Sequence, residues 1–308
     1  MSQQVYTTSS LGGYYAVPQL TSEIRTIAQP QMRFRKHARL EPRAGRGRGD
    51  TIYFDKNANP SSNGGTISET GTIPKTSFTI TQGSITMTEN GVAIPYTSKL
   101  QTLGQISVDE SIREALANSI AKVLDSQCAV AFQTSDYKVQ IVNTATTAFD
   151  SASSAPGAAA ANMSDKNVRD IVDEMKKINI PKIKSTGLYN CIGATNAIRG
   201  LWDFFEAKAQ FTTLEEIRRG VVGIYYGTAF EEETNILSNV LGTYYGEAIF
   251  FGDDAVMEAV AIGEEIRMDV PKDHGRDLSL AWYYLGAFQK IWDFSSDGDG
   301  RIMHVTTS

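Results

Sequence analysis

The sequence predicts an α+β fold, and three observations carry that reading. Residues 108–133 place apolar side chains at helical spacing and contain no Gly or Pro. Ahead of them, β-branched and aromatic residues alternate with Thr and Ser on either side of a long polar stretch. Behind them, strand-like segments punctuated by glycine run to the end of the chain.

The first forty residues show no sustained period, and Pro18 and Pro30 interrupt any helix there. Thr51 to Phe54 (TIYF) reads as a strand from its β-branched and aromatic content. DKNANPSSNGGTISETGTIPK, residues 55–75, offers only Ala58, Ile67 and Ile73 as aliphatic residues and no aromatic one. It cannot bury anything of its own. KTSFTITQGSITMTENGVAIPYT, residues 75–97, then alternates Phe78, Ile80, Ile85 and Met87 with Thr and Ser, the period of a half-exposed strand. Gly83 and the Asn90-Gly91 pair predict bends or turns. Residues 45–100 together read as a long β-hairpin arm.

Ser107 with Glu110 three residues on predicts a capping box, and Ile112, Leu116, Ile120, Val123, Leu124, Cys128 and Ala131 mark the buried face of the helix that follows. At 1.5 Å per residue that helix is roughly 39 Å long. SASSAPGAAAA (151–161) reads as a flexible loop. Ser164 caps a second helix over 165–178, with Val168, Ile171, Val172, Met175 and Ile178 inward. GLYNCIGA (187–194) predicts a buried strand, and Thr195 caps a helix facing inward through Ile198, Leu201, Trp202 and Phe205. Thr213 with Glu216 predicts a further capped helix ending at Gly220. The last strands are VVGIYYG, AFEEE, EAIFFGDD, EEIRM, SLAWYYLGAFQKIW and RIMHVTT.

Of the 308 residues 41% are hydrophobic and 21% charged, an ordinary globular balance with enough length for one large domain or two modest ones. The start lacks a basic region followed by an apolar one, so no secretory signal is expected. LAWYYLGAF, the longest apolar run, is too short to span a membrane. Cys128 and Cys191 form no CxxC and read as two reduced thiols. Residues 1–50 hold eight Lys/Arg against three Asp/Glu, a net of +5. Since the whole chain carries −6, the remainder carries −11. Arg33, Arg35, Lys36, Arg39, Arg43, Arg46 and Arg48 supply seven of those eight charges. Such a segment docks on an acidic surface or touches nucleic acid, and only Phe34 is there to stack on a base. An arm pinned to acidic patches on a neighbouring copy is the preferred reading.

Nothing in the sequence favours catalysis. His37, His274 and His304 are well separated and read as surface or loop residues, with no HExxH and no compact metal set. No GxSxG or GxxxxGK occurs, and the glycines of GRGRGD lie ahead of a strand rather than behind one. DFSSDGDGRIMH (293–304) has the Asp293, Asp297 and Gly298 of a calcium loop but His304 where the bidentate Glu belongs, so it reads as a polar turn. The carboxylate clusters Glu231–Glu233, Asp253/Asp254 and Glu264/Glu265 read as solvated edges. No cofactor is expected.

The order of elements resembles that of the major capsid proteins of tailed bacteriophages, the Johnson fold, over roughly residues 20–306. KTSFTITQGSITMTENGVAIPYT ahead of the capped helix looks like that family's extended-loop strand leading into its spine helix. EAIFFGDDAVMEAVAIGEEIRM is similar to the stretch where a strand reaches a Gly-Asp turn and a short helix. SLAWYYLGAFQKIW and RIMHVTT look like the closing strands of the peripheral domain. The resemblance implies an N-terminal arm (1–44), an extended β-hairpin loop (45–104), a peripheral domain with the spine helix and following loop (105–163), a mainly axial domain (164–280) and closing peripheral strands (281–308). It implies an icosahedral shell around double-stranded DNA, built from hexamers and pentamers of the chain in the host cytoplasm. The seven basic residues above belong to the inter-subunit arm, and Lys56, Asn63, Gly64, Gly65 and Lys75 to the extended loop. A long helical scaffold-like extension is not seen at the N-terminus, so assembly needs a separate scaffolding protein or none, with portal and decoration proteins as further partners. The loop lysines Lys56 and Lys75 lack a recognisable cross-linking partner, and no cross-link is expected. Alternatives are an encapsulin-type shell, which a cargo-peptide groove would favour; a soluble enzyme, which a deep polar pocket would favour; and a nucleic-acid-binding module, marked by salt-dependent DNA binding.

Overall fold

A computed structural model describes residues 29–30, 32–41, 49–57, 64–104, 107–150, 162–207, 223–237, 246–270, 273–294 and 298–307. Helix α2 (Val108–Gln133) has the expected length, and its buried Ile112, Leu116, Leu124, Cys128 and Ala131 follow the expected face. The helix serves two cores. Ile112, Leu116 and Leu124 pack with Tyr96, Leu280, Trp282 and Tyr284, whereas Cys128, Ala129 and Phe132 join the larger core with Val139, Phe250, Phe251 and Val305. The expected capping box is absent. Ser107 makes no side-chain cap, and Asp109 and Glu110 supply the negative charge that a helix N-terminus favours.

The first core lies on a four-stranded sheet ordered β1-β11-β12-β4, from Arg39–Glu41, Val256–Met268, Asp277–Lys290 and Thr88–Thr97. Here the structure corrects three readings. Residues 88–97 leave the hairpin arm and pair antiparallel with β12 from Thr97↔Asp277 to Thr88↔Gly286. Asn90-Gly91 is therefore strand rather than turn, and a Cβ on Gly91 would lie 2.7 Å from the Trp282 carbonyl oxygen. That close approach is what glycine serves there. The residues after the Gly252–Asp254 turn form the thirteen-residue β11 instead of a short helix, because β12 offers a partner strand that outweighs local helix propensity.

The hairpin proper pairs β2 (Thr51–Asn57) with β3 (Ile80–Thr86), from Thr51↔Thr86 to Asn57↔Ile80. Gly83 is again strand, not bend, and it lies beneath the Phe54 ring opposite. The inner face of this hairpin, Ile52, Phe54 and Ile85, packs on Met257, Ala259, Ala287, Ile291 and Trp292. Residues 75–79, read as part of a strand, are not in one. A short helix α1 (Ser98–Leu103), capped by Thr97, connects β4 towards α2.

The second core surrounds a seven-stranded sheet ordered β6-β5-β13-β10-β7-β9-β8. Its central strands β13 (Ile302–Thr307), β10 (Gly246–Phe251) and β7 (Tyr189–Ala194) are buried at every position. Flanking them are β5 (Tyr137–Asn143), β6 (Thr146–Asp150), β9 (Thr228–Glu233) and β8 (Ile224–Tyr225). The two closing strands, grouped together in the sequence reading, thus lie in different sheets, with β5 paired in parallel to β13 and β6 antiparallel to β5. Helix α3 (Asp165–Lys177) starts at the expected Ser164, whose hydroxyl accepts from Asn167 N–H while the Asn167 side chain accepts from Ser164 N–H. Helix α4 (Thr195–Ala207) buries Ala197, Ile198 and Leu201. The proposed Thr213–Glu216 capping box lies outside the described residues. His304 is a buried core residue beside Lys138 and Glu247, not a surface histidine. Both cysteines are free and buried, and burial pushes both thiols well up, so they pack as small apolar groups.

Gly286 tests the fit of the two long strands, because a Cβ there would lie 2.5 Å from the Ala259 carbonyl oxygen. We expect Gly286→Ala to cost about 1–3 kcal/mol in a denaturant melt. Gly65, with nothing within 4 Å, is the control, and Gly65→Ala should leave the midpoint unchanged.

Candidate assembly interface

Two elements are the ones expected to meet other copies: the basic segment before β1 and the β2–β3 hairpin. The basic segment meets acid on its own chain. Phe34 and Arg35 donate their backbone N–H groups to Asp125 Oδ1 at 2.9 and 3.1 Å, in the middle of α2. Arg35 bonds Glu258 at 2.9 Å and also pairs with Glu264, both on β11. Lys36 pairs with Glu231 of β9, and His37 Nε2 stands 3.4 Å from the same carboxylate. Arg39 reaches Asp254 at 2.8 Å in the turn between β10 and β11. Phe34 is fully buried against Phe132, which in turn meets Phe251.

These contacts correct the reading of the carboxylates as solvated edges. Glu233 is buried and accepts backbone N–H groups from Asn235, Ile236 and Leu237. Burial alone would raise the Glu231 carboxyl, but hydrogen bonds from His37 and Lys36 outweigh it and hold the group at about 2. Glu264 is likewise held down, its bond to Arg35 outweighing burial. Asp125 is shifted the other way, because burial dominates there.

The hairpin presents the opposite picture. Every described residue from Gly64 to Ile80 is exposed. Tyr53 is 62% exposed and Ile80 54% on the outer face, with Phe78 at 61% beyond the last strand pair. Large apolar side chains on this arm thus face solvent rather than the core. Behind the arm, a cavity of about 500 Å³ lies between it and the body, lined by Phe54, Lys56, Arg39, Asp254, Met257 and Trp292 among others.

Of the expected arm residues, Arg35, Lys36 and Arg39 come together on one acidic track of their own subunit, not at a neighbour's surface in this single chain. Arg33 is exposed, and Arg43, Arg46 and Arg48 lie outside the described residues. In the loop, Gly64, Gly65 and Lys75 are exposed, Asn63 lies outside the described residues, and Lys56 donates to the Ile291 carbonyl at 3.1 Å. Sequence reasoning missed Asp125 and the outward Tyr53. An acidic residue beside Leu124 on the buried face of α2 was the available signal for the first.

Because the Glu231 carboxyl lies below its ordinary value of 4.5 when folded, the stability that it supplies is complete above that pH and is lost as pH falls toward 2. We expect Glu231→Gln to cost about 1–3 kcal/mol near neutrality. The gap to wild type should close as pH is lowered from about 4.5 toward about 2 in parallel melts.

Residues 12–180, more than half of the chain, match the model of the phage capsid family. No curated protein matches. Among solved structures, the head of Helicobacter pylori bacteriophage KHP40 is similar with a TM-score of 0.73 at 10% identity, covering 100% of this chain and 99% of its own. Mycobacterium phage Che8 follows at 0.69 and 11%, covering 95% and 97%. The capsid of Ralstonia phage GP4 follows at 0.66 and 13%, covering 98% and 98%. At such identities the likeness is one of fold. Taken with the family match, these observations have one conclusion: the chain belongs to the phage capsid family.

Proposed function

We propose that copies of this capsid protein close into an icosahedral shell around double-stranded DNA, and that the β2–β3 arm of each copy rests on the next. The observation that carries the reading is the exposed arm: residues 64–80 find no burial in their own chain, and Tyr53, Phe78 and Ile80 face solvent. Ordering a backbone costs about 1–2 kcal/mol per residue, which contacts with another copy offset. Head-to-tail contacts of this kind close into rings, here hexamers and pentamers, when the rotation between copies allows it. Many weak contacts per subunit then act together.

In this reading α2 is the spine. The peripheral part is the four-stranded sheet with α1, α2 and the hairpin, and the axial part is the seven-stranded sheet with α3 and α4. The exposed Arg33, together with the basic Arg43, Arg46 and Arg48 of the sequence, is assigned to a neighbour's acidic surface in this reading. The DNA stays a non-specific companion, since a net charge of −6 suits a container that must not grip its contents. Assembly takes place in the host cytoplasm with a separate scaffolding protein, and portal and decoration proteins complete the virion.

Deleting residues 64–79 leaves Asn57 and Ile80 joined through a six-residue connection. We expect the purified variant to melt like wild type and to form no closed particles by negative-stain microscopy; normal shells would refute the arm's role. Tyr53→Ser with Ile80→Ser should lower particle yield at least tenfold while shifting stability by less than about 0.5 kcal/mol. An unchanged yield would remove the apolar face from the interface.

A further inference from the structure

Residues 34–41 touch both sheets and the turn that connects them. On the four-stranded side, Arg35 bonds Glu258 and Glu264, and β1 pairs in parallel with β11 from Arg39↔Met257 to Glu41↔Ala259. On the seven-stranded side, Lys36 pairs with Glu231 of β9, and the His37 ring nitrogen Nδ1 stands 3.1 Å from Asn190 Nδ2 of β7. The His37 ring also lies edge-on to Phe251 of β10, centroids 5.1 Å apart. Between the sheets, Arg39 holds Asp254, which Arg301 approaches from the other side at 3.8 Å. Asp254 has a φ of 57°, a left-handed conformation that a non-glycine residue adopts only under restraint.

The strength of these ties is uneven. Each sheet has its own apolar core and α2 runs through both, but the ion pairs sit at the rim: the Lys36 and Arg39 side chains are 47% and 66% exposed. Exposed pairs are individually weak and screened by salt. Breaking them leaves both cores and the shared α2 intact and removes a second tie between the sheets. We infer that residues 34–41 form an electrostatic strap that sets the angle between the two sheets, and so the curvature that each subunit brings to a shell. A ligand or charge that frees the strap shifts the population of angles rather than unfolding the chain. Because head-to-tail contacts repeat the same rotation at every copy, a small change of angle becomes a change of particle diameter.

This inference rests on the shell-forming reading above for its consequence, but not for the strap itself. The test uses Lys36→Glu, Glu231→Lys and the double swap in the full chain at pH 8. Hydrogen exchange of amides 34–41 is read in free subunits, and particle diameter by electron microscopy. Each single change should speed exchange at 34–41 about fivefold or more, leave β7 and β10 protected, and broaden or shift the diameters. The swap should restore both. Single variants with wild-type exchange, or a swap that restores nothing, would overturn the strap. Faster exchange with an unchanged, uniform diameter would overturn its control of curvature. Where a reversal does not fold, Lys36→Met, which keeps the stem and removes the charge, is read in the same way. If wild-type protein forms no closed particles, the shell-forming reading fails, and the exchange data still decide the strap.

Discussion

An extended stretch of backbone that buries nothing cannot hold one conformation on its own account, and residues 64–80 are such a stretch. Their root is firm: Ile52, Phe54 and Ile85 pack on Met257, Ala259 and Ile291. Beyond the root every described residue faces solvent. The entropy of ordering that arm, on the order of 1–2 kcal/mol per residue, has no compensation within one chain. In the proposed shell, the surface of a neighbouring copy supplies it. The rest of the subunit is the mount that carries this unfinished element.

The mount is built on α2. Its N-terminal half shares a core with β4 and β12, and its C-terminal turns share another with β5, β10 and β13. Between the two stands Asp125, a buried carboxylate whose burial is offset in part by the N–H groups that Phe34 and Arg35 donate to it. The same contact fixes where the basic segment begins its path across both sheets. The charge asymmetry between the first fifty residues and the rest is therefore in part an internal complementarity. Arg35, Lys36 and Arg39 find their acids on β11, β9 and the β10–β11 turn.

Much of this was legible in the residues themselves. Twenty-six positions without Gly or Pro and with a steady apolar period can hardly be anything but α2. Ser164, the buried run of β7 and the polarity of residues 55–75 were equally direct. What escaped was set by partners far away in sequence. Asn90-Gly91 has the chemistry of a turn, yet β12 draws it into a strand whose closest approach only glycine permits. Val256–Met268 is rich in Ala, Glu and Met, yet β12 pairs along it. Glu231 and Glu264 look like surface acids until Lys36 and Arg35 arrive beside them. Local pattern specifies the elements; which charge meets which is decided by topology, and a single sequence does not display it.

The most direct measurement is hydrogen exchange of amides 64–80 in free subunits and in assembled particles of the same protein. The account predicts rapid exchange in the free chain and strong protection once shells have formed, because a neighbouring copy then covers the arm. Equal exchange in the two states would mean that the arm has no seat on another subunit, and the central claim would fall.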